Sequence, residues 1–290
     1  MRIVYHLGVH CTDEDRLVRC LLKNRAALAD QGISVPSPTR YRKLLRATAT
    51  QLRGRPASDE TAAMILDQIT DDPQAERMIL SWTSFLSFPA YAVGDMLYGA
   101  GGERLQGFTQ IFPDHEAEFH LAIRNPASFL PDLRLRAQGK GHEDILRGVD
   151  PFRLRWSDTI RAIKQAHPGV PLTVWCDEDT PLIWPEVLQA ISGHAPETRL
   201  EDDEELLSDL ITEAGFVRYK TYCREHPPQS VSQRRRIVTA FLEKFGRPDK
   251  LAADANVPGW SEDLVEELSR SYLRDLDRIA RTPGVRLIEP

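Results

Sequence analysis

The chain opens with a short apolar strand that runs into a turn and then into an amphipathic helix. Residues 2–8 read Arg-Ile-Val-Tyr-His-Leu-Gly, and residues 9–15 read Val-His-Cys-Thr-Asp-Glu-Asp. A strand, a glycine-containing turn and a helix N-terminus form a common cradle for a phosphorylated ligand, because free N–H groups and the helix dipole favour negative charge there. This opening predicts an α/β fold with a ligand site at the turn.

Further strands are predicted where short apolar runs recur along the chain. They lie at residues 78–82, 118–123 and 171–176, with a short extended piece at 32–36 and a last edge strand at 285–288. Helical patterns separate most of these runs, and strands that alternate with helices form a parallel sheet covered on both faces. The sequence therefore predicts a three-layer α/β sandwich with a central parallel sheet.

The helical segments complete this prediction. The first helix is predicted to begin near Thr12 or Asp13 and to end at Gly32, with apolar residues at helical spacing at positions 17, 21, 22 and 28. Residues 40–72 are predicted to be a helical insertion between the first two core strands, and the chain beyond residue 192 is predicted to be helical up to the last strand. We expect a helical insertion and a helical C-terminal half.

Composition limits the domain count and the partners. A chain of 290 residues with 41% hydrophobic residues is predicted to bury one large core, so residues 1–290 are expected to form a single domain. A net charge of −6 predicts neither a nucleic-acid partner nor an anionic membrane, because both need a basic face. Without an N-terminal signal pattern or an apolar run of bilayer length, a cytoplasmic location is expected.

Three polar segments are expected to meet at one edge of the sheet. In a parallel sheet, ligands bind outside the carboxyl ends of the strands, where the strand order reverses. The turn at residues 10–15, the Arg-Asn-Pro segment at 124–126 and the Asp-Glu-Asp segment at 177–179 follow predicted strands. His10 and Glu178 are candidate general bases. The alternatives are a hydrogen-bonded turn histidine and a strand-end carboxylate that accepts backbone N–H groups.

The order of these motifs resembles that of bacterial sulfotransferase-like proteins, a P-loop family. Their opening is similar to His-Leu-Gly-Val-His-Cys-Thr at 6–12, with Leu-Leu-Lys-Asn-Arg at 21–25 and Gly-Ile-Ser-Val-Pro at 32–36. Later motifs resemble segments 123–126, 175–179, 184–188, 271–276 and 283–285. The resemblance covers most of the chain and implies a P-loop-type sandwich.

The resemblance also implies a donor, an acceptor and a set of site residues. The donor is PAPS, whose sulfuryl group passes to the hydroxyl of an unknown small molecule or glycan. Arg124 and position 132 correspond to the residues that grip the donor's 3′-phosphate, and His10 or Glu178 is the base. The positions implied for the phosphosulfate-binding turn are Gly8, Cys11, Thr12, Asp13, Glu14 and Asp15.

The departures from the family pattern lie at the positions that bind the donor and stabilise the leaving group. The family turn reads Lys-Thr-Gly-Thr-Thr, and only Thr12 agrees with it, while Asp132 replaces a serine. Cys11 at the lysine position cannot supply a fixed cation for the leaving oxygen. A carboxylate about 4 Å from a phosphate charge costs roughly 4 kcal/mol at an effective dielectric of about 20. Sulfuryl transfer is predicted to be impaired or lost. The alternative is a non-catalytic binding protein on the same scaffold.

The acidic turn has three interpretations at the level of sequence. Its carboxylates can cap the first helix, because acids favour the positive end of the helix dipole. It can be a degraded donor site that still functions. It can also meet the acidic segment at 177–179 and bind a divalent cation through oxygen ligands. We favour capping and expect no metal.

Overall fold

Six parallel strands form one central sheet in the computed structural model. The model describes residues 1–72, 74–137, 146, 148–251 and 260–290. The strand order is β2-β3-β1-β4-β5-β6, and every pairing is parallel. The strands are β1 (Arg2–His6), β2 (Ile33–Ser34), β3 (Arg77–Ser81), β4 (Glu116–Ile123), β5 (Leu172–Cys176) and β6 (Val285–Ile288).

Helices cover both faces of the sheet. The described helices are α1 (Arg16–Lys23), α2 (Arg25–Ala29), α3 (Pro38–Leu52), α4 (Asp59–Ile69), α5 (Gly101–Thr109), α6 (Pro126–Ala137), α7 (Trp156–Ala166), α8 (Thr180–Ser192), α9 (Glu205–Leu210), α10 (Glu213–Glu225), α11 (Val231–Phe245), α12 (Pro248–Leu251) and α13 (Glu262–Ala280). None of these helices has an apolar stretch long enough to cross a bilayer. The predicted three-layer α/β fold, with its helical insertion and helical C-terminal half, is confirmed.

The two faces of β1 enter different cores because successive side chains of a strand point to opposite sides. Ile3 and Tyr5 pack with the large core that includes residues of α3, α5, α7 and α13. Val4 packs with a second core formed with α1, α2 and α8. A third, smaller apolar cluster joins α9, α10 and α11, and Leu182 of α8 packs against both this cluster and the second core. The strand is therefore buried on both sides.

The strand order reverses at β1. This strand lies between β3 and β4, with β2 beyond β3 on one side and β5 and β6 beyond β4 on the other. The loop that follows β1 therefore leaves the sheet at its topological switch point, where ligands bind in folds of this kind. We call residues 8–15 the switch loop.

The first helix differs from its prediction in both start and length. Thr12 and Asp13 were expected to begin it, but α1 begins at Arg16. Glu14 and Asp15 have φ angles of 50° and 62°, and a left-handed residue cannot continue a right-handed helix. The helical run predicted to reach Gly32 is instead divided into α1 and α2.

Candidate functional site

The switch loop contains four residues with positive φ. Gly8 has a φ of 84°, and a Cβ there would lie 2.9 Å from the Cα of Thr83, so this position requires glycine. Cys11, Glu14 and Asp15 also lie in the left-handed region, although none of them is glycine. Each such residue costs roughly 1–2 kcal/mol. The loop therefore needs contacts that hold it in this conformation.

Three arginines from outside the loop provide these contacts, and we call Arg42, Arg124 and Arg136 the arginine clamp. Arg124 donates from Nη1 to the carbonyl oxygen of Cys11 at 2.8 Å. Arg136 forms an ion pair with the Glu14 carboxylate. Arg42 binds both carboxylate oxygens of Asp15, at 3.0 and 2.6 Å. Each strained residue of the loop is thus held by one arginine of the protein itself.

The three acidic side chains of the loop point in different directions. Asp13 accepts the backbone N–H of Leu17 through Oδ2 at 2.9 Å, so the capping prediction is confirmed for this residue. Its Oδ1 is buried and has no hydrogen-bond partner among the described residues. Glu14 and Asp15 turn to the arginine clamp instead, and Asp15 makes no side-chain cap. For these two residues the capping prediction is wrong.

Cys11 and Thr12 occupy positions that the resemblance assigns to a lysine and a hydroxyl. Burial raises the pKa of the Cys11 thiol to about 11, so Cys11 is neutral near pH 7. The Thr12 hydroxyl donates to the carbonyl of Val9 at 2.8 Å and is engaged within the loop. Position 11 therefore supplies no charge.

Arg124 and Asp132 form an ion pair at 2.6 Å. Arg124 directly follows β4 and Asp132 lies on α6, so the position that the resemblance assigns to a serine here carries the counter-ion of the arginine. The indole of Trp156 donates to the carbonyl of Arg124 at 2.7 Å and fixes its backbone. Arg124 is therefore neutralised within the protein.

His10 is a buried and hydrogen-bonded histidine. Its Nδ1 lies 2.7 Å from the Tyr98 hydroxyl, and its Nε2 lies 3.4 Å from Oγ of Ser84. Burial, assisted by the charge of Arg136, lowers the pKa of His10 to about 4, so the ring is neutral. Because the residue is only 2% exposed and both ring nitrogens have protein partners, it has the features of a structural histidine.

Glu178 accepts hydrogen bonds from two directions. Oε1 accepts the backbone N–H of Asn125 at 2.7 Å, as expected for a strand-end carboxylate, and Oε2 accepts the Tyr272 hydroxyl at 3.3 Å. Its neighbour Asp177 belongs to the acidic segment that is a candidate cation ligand at the level of sequence. Burial and the adjacent Glu178 charge raise the pKa of Asp177 to about 7, with Asp13 acting in the same direction.

A row of buried polar side chains crosses the sheet beneath the switch loop. His6 of β1 pairs in register with Ser81 of β3 and His120 of β4, and its Nδ1 lies 2.9 Å from Oγ of Ser81. Nε2 of His120 lies 2.7 Å from Glu118, which binds Arg77 through two hydrogen bonds. Nε2 of His6 and Nδ1 of His120 have no partner among the described residues.

The arrangement was only partly visible in the sequence. The three predicted segments do gather at the carboxyl edge of the sheet, where Arg124 contacts Cys11 and Asn125 contacts Glu178. Arg42 and Arg136 were missed, because they lie 27 and 122 positions from their loop partners and belong to no motif. Across the described residues, no group of three or more His, Cys, Asp or Glu side chains has a geometry that could hold a metal ion.

Comparison with known proteins finds no family model, no curated protein and no solved structure that matches the chain. Fold and site together define an α/β three-layer protein with an internally ion-paired loop at the switch point of its sheet.

Proposed function

We propose that this chain is a non-catalytic binding protein on a sulfotransferase-like, P-loop-type scaffold. One observation carries the proposal: Glu14, Asp15 and Arg124, three of the charged groups that the resemblance places around the donor, are ion-paired within the protein. A bound donor would have to displace these pairs. The position of the switch loop after the central strand supports the P-loop-type assignment.

The chemistry of the candidate catalytic residues supports the loss of sulfuryl transfer. Sulfuryl transfer needs a cation at the leaving oxygen and a base at the acceptor hydroxyl. Cys11 is a neutral thiol, and both ring nitrogens of His10 are occupied by Tyr98 and Ser84. Both carboxylate oxygens of Glu178 accept hydrogen bonds from other elements. Position 11 therefore supplies no cation, and both candidate bases are already engaged in hydrogen bonds within the protein.

PAPS-dependent transfer to a hydroxyl acceptor remains the second candidate, and one observation favours it. Arg136 brings its guanidinium close enough to Cys11 and His10 to influence the pKa of both side chains. An arginine there would replace the cation that position 11 lacks, if Glu14 released it.

Calorimetry with adenosine 3′,5′-bisphosphate, the desulfonated donor, tests the two candidates. For the non-catalytic protein we expect no binding tighter than about millimolar, which is about −4 kcal/mol. Micromolar binding to the parent protein would overturn the proposal in favour of the transferase.

Two variants test whether the internal ion pairs are what excludes the donor. Glu14→Gln releases Arg136, whereas Glu116→Gln removes an exposed ion pair with Arg2 at the opposite end of β1 and β4. If internal ion pairs exclude the donor, Glu14→Gln gains measurable affinity and Glu116→Gln does not. Equal affinity in the two variants would show that the ion pair of Glu14 plays no part in excluding the donor.

A further inference from the structure

A groove with a positively charged lining lies outside the switch loop. It runs between the turn that precedes α5 and the beginning of α7, and its volume is about 510 Å³. Asp95 and Met96 form one wall, and Ala162 and Gln165 of α7 contribute to the other. The remaining lining residues are charged: Arg153, Arg155, Asp158 and Arg161.

Two of the groove arginines have no counter-ion among the residues that the structure describes. Arg161 pairs with Asp158 at 2.9 Å, one helical turn away. Within the ranges that the structure describes, the guanidinium groups of Arg153 and Arg155 form neither an ion pair nor a hydrogen bond. The arginines of the clamp, by contrast, all bind carboxylates. As far as the described part of the chain extends, Arg153 and Arg155 keep their guanidinium groups for a ligand.

The charge of the groove favours an anion. Three guanidinium groups share it with two carboxylates, one of which is neutralised by Arg161, while the whole chain carries a net charge of −6. A concave wall of low dielectric constant concentrates the field of like charges and raises the local concentration of the opposite ion. A local excess of positive charge in an acidic protein marks a place for a negatively charged group.

The geometry of arginine selects the kind of anion. The planar guanidinium fork matches two oxygens of a phosphate or sulfate at once, which a point charge does not. The volume lies within the range of about 300–1,000 Å³ that is typical of small-molecule sites. The largely charged lining, with Met96 and Ala162 as apolar contacts, suits a hydroxylated ligand about the size of a monosaccharide.

We propose that this groove binds a small phosphate or sulfate ester, with Arg153 and Arg155 gripping the anionic group and Met96 and Ala162 contacting the body of the ligand. The proposal goes beyond the switch loop and does not depend on whether that loop binds a donor. The groove contains no residue of the loop or of the arginine clamp.

The test is titration calorimetry of the whole chain with glucose 6-phosphate, glucose 6-sulfate, glucose and inorganic phosphate. At least one ester is expected to bind at least tenfold more tightly than inorganic phosphate and glucose, with an affinity that weakens as salt is raised. Whichever of the two esters binds more tightly identifies the anion. Failure of both esters to bind, or equal affinity for inorganic phosphate, would overturn the proposal.

The variants are Arg153→Gln with Arg155→Gln, and the matched control is Arg53→Gln with Arg55→Gln. The control pair is also exposed, has the same spacing and removes the same charge. We expect the groove variant to bind the ester at least tenfold more weakly, which corresponds to about 1.4 kcal/mol, and the control to bind as the parent does. Equal weakening in both would show only an effect of net charge and would contradict the proposal.

A conservative variant keeps the proposal testable if the glutamine variant does not fold. Arg153→Lys with Arg155→Lys preserves the charge but removes the fork. We expect it to lose part of the affinity and to weaken more strongly with salt than the parent. Full parental affinity in the lysine variant would mean that charge alone attracts the ligand, and the assignment of a bidentate site would be wrong.

Discussion

Asp13 stabilises the start of α1 with one carboxylate oxygen, which accepts the N–H of Leu17. Replacing Asp13 with Ala removes the acceptor for a free N–H group at a helix N-terminus, and we expect the free energy of unfolding to fall by about 1 kcal/mol. Urea denaturation of the two proteins measures this change. Asp13→Asn keeps an acceptor oxygen and is expected to lose less than half as much. An Ala variant as stable as the parent would refute the capping role.

His10 makes stability depend on pH. The folded protein binds a proton at His10 only near pH 4, whereas the unfolded chain binds it near the ordinary value of 6.5. Between these values the unfolded state holds more protons, so stability falls as the pH drops from about 6.5 toward 4, and above 6.5 this group has no further effect. Through His10, the free energy of unfolding falls by on the order of 3 kcal/mol over this range.

The measurement is the free energy of unfolding between pH 4 and 7. His10→Gln should make the dependence on pH shallower, because the variant loses one of the histidines whose pKa is lowered in the folded protein. His226→Gln is the control, because His226 is exposed. If the parent and the His10 variant have the same slope, the ring does not stay neutral in the folded state.

Single residues also show what the sequence cannot predict. The acids at 13–15 predicted capping, and this holds for Asp13, whose partner lies four residues away. Glu14 fails because its partner is Arg136, brought close only when α6 packs beside the loop. Local propensity describes neighbours in sequence, and an ion pair over this distance depends on the completed fold.

At the scale of elements, β4 carries two Glu–Arg pairs in different surroundings. Glu116 pairs with Arg2 at an exposed site, whereas Glu118 and Arg77 have side chains that are only 14% and 13% exposed. Burial opposes ionisation of Glu118, but hydrogen bonds from His120 and Arg77 outweigh it and lower the pKa of Glu118 to about 2. The buried pair therefore stays charged over the physiological range.

The two pairs give a matched prediction. Glu118→Gln leaves the Arg77 guanidinium without its counter-ion, and we expect a loss of about 3 kcal/mol in the free energy of unfolding. Glu116→Gln removes an exposed pair and is expected to cost less than about 1 kcal/mol. Denaturant titration of both variants makes the comparison. Similar losses in the two variants would mean that burial of the Glu118–Arg77 pair does not increase its contribution to stability.

The observed bounds of the elements agree closely with the predicted ones where the hydrophobic pattern is strong. Strands β4 and β5 were predicted within two residues of their bounds, since both consist of long apolar runs. The start of α1 was placed too early because Thr12 and the acids after it form a typical helix N-terminal signal, whereas α1 begins at Arg16. The arginine clamp holds that loop in left-handed conformations, and hydrophobic periodicity carries no information about such contacts.

At the scale of the whole molecule, the parallel sheet followed from the alternation of strands and helices, but the strand order did not. β2 comprises only Ile33 and Ser34, yet it occupies an edge, and β3 inserts between it and β1. No local pattern distinguishes this order from a sequential one. The switch point at β1, and hence the place of the site, became definite only with the pairing.

The single domain expected from the sequence would unfold in one cooperative transition on heating. β1 lies at the centre of the sheet, and Leu182 packs against both the second core and the α9–α11 cluster, which couples the two parts. We expect one peak in scanning calorimetry. Val238→Ala, which leaves a gap in that cluster, is expected to move the peak to lower temperature without dividing it. A separate early peak would show a second domain.

Trp156 lies where the loop and the groove approach each other. It is fully buried, follows Arg155 directly, donates to the Arg124 carbonyl and stacks on Tyr98, the partner of His10. The emission of an indole shifts in wavelength and intensity when its hydrogen bond or its packing changes. Trp156 is one of five tryptophans in the chain, so the difference between the emission of the parent protein and that of a Trp156→Phe variant isolates its signal, which reports on both places without any attached dye.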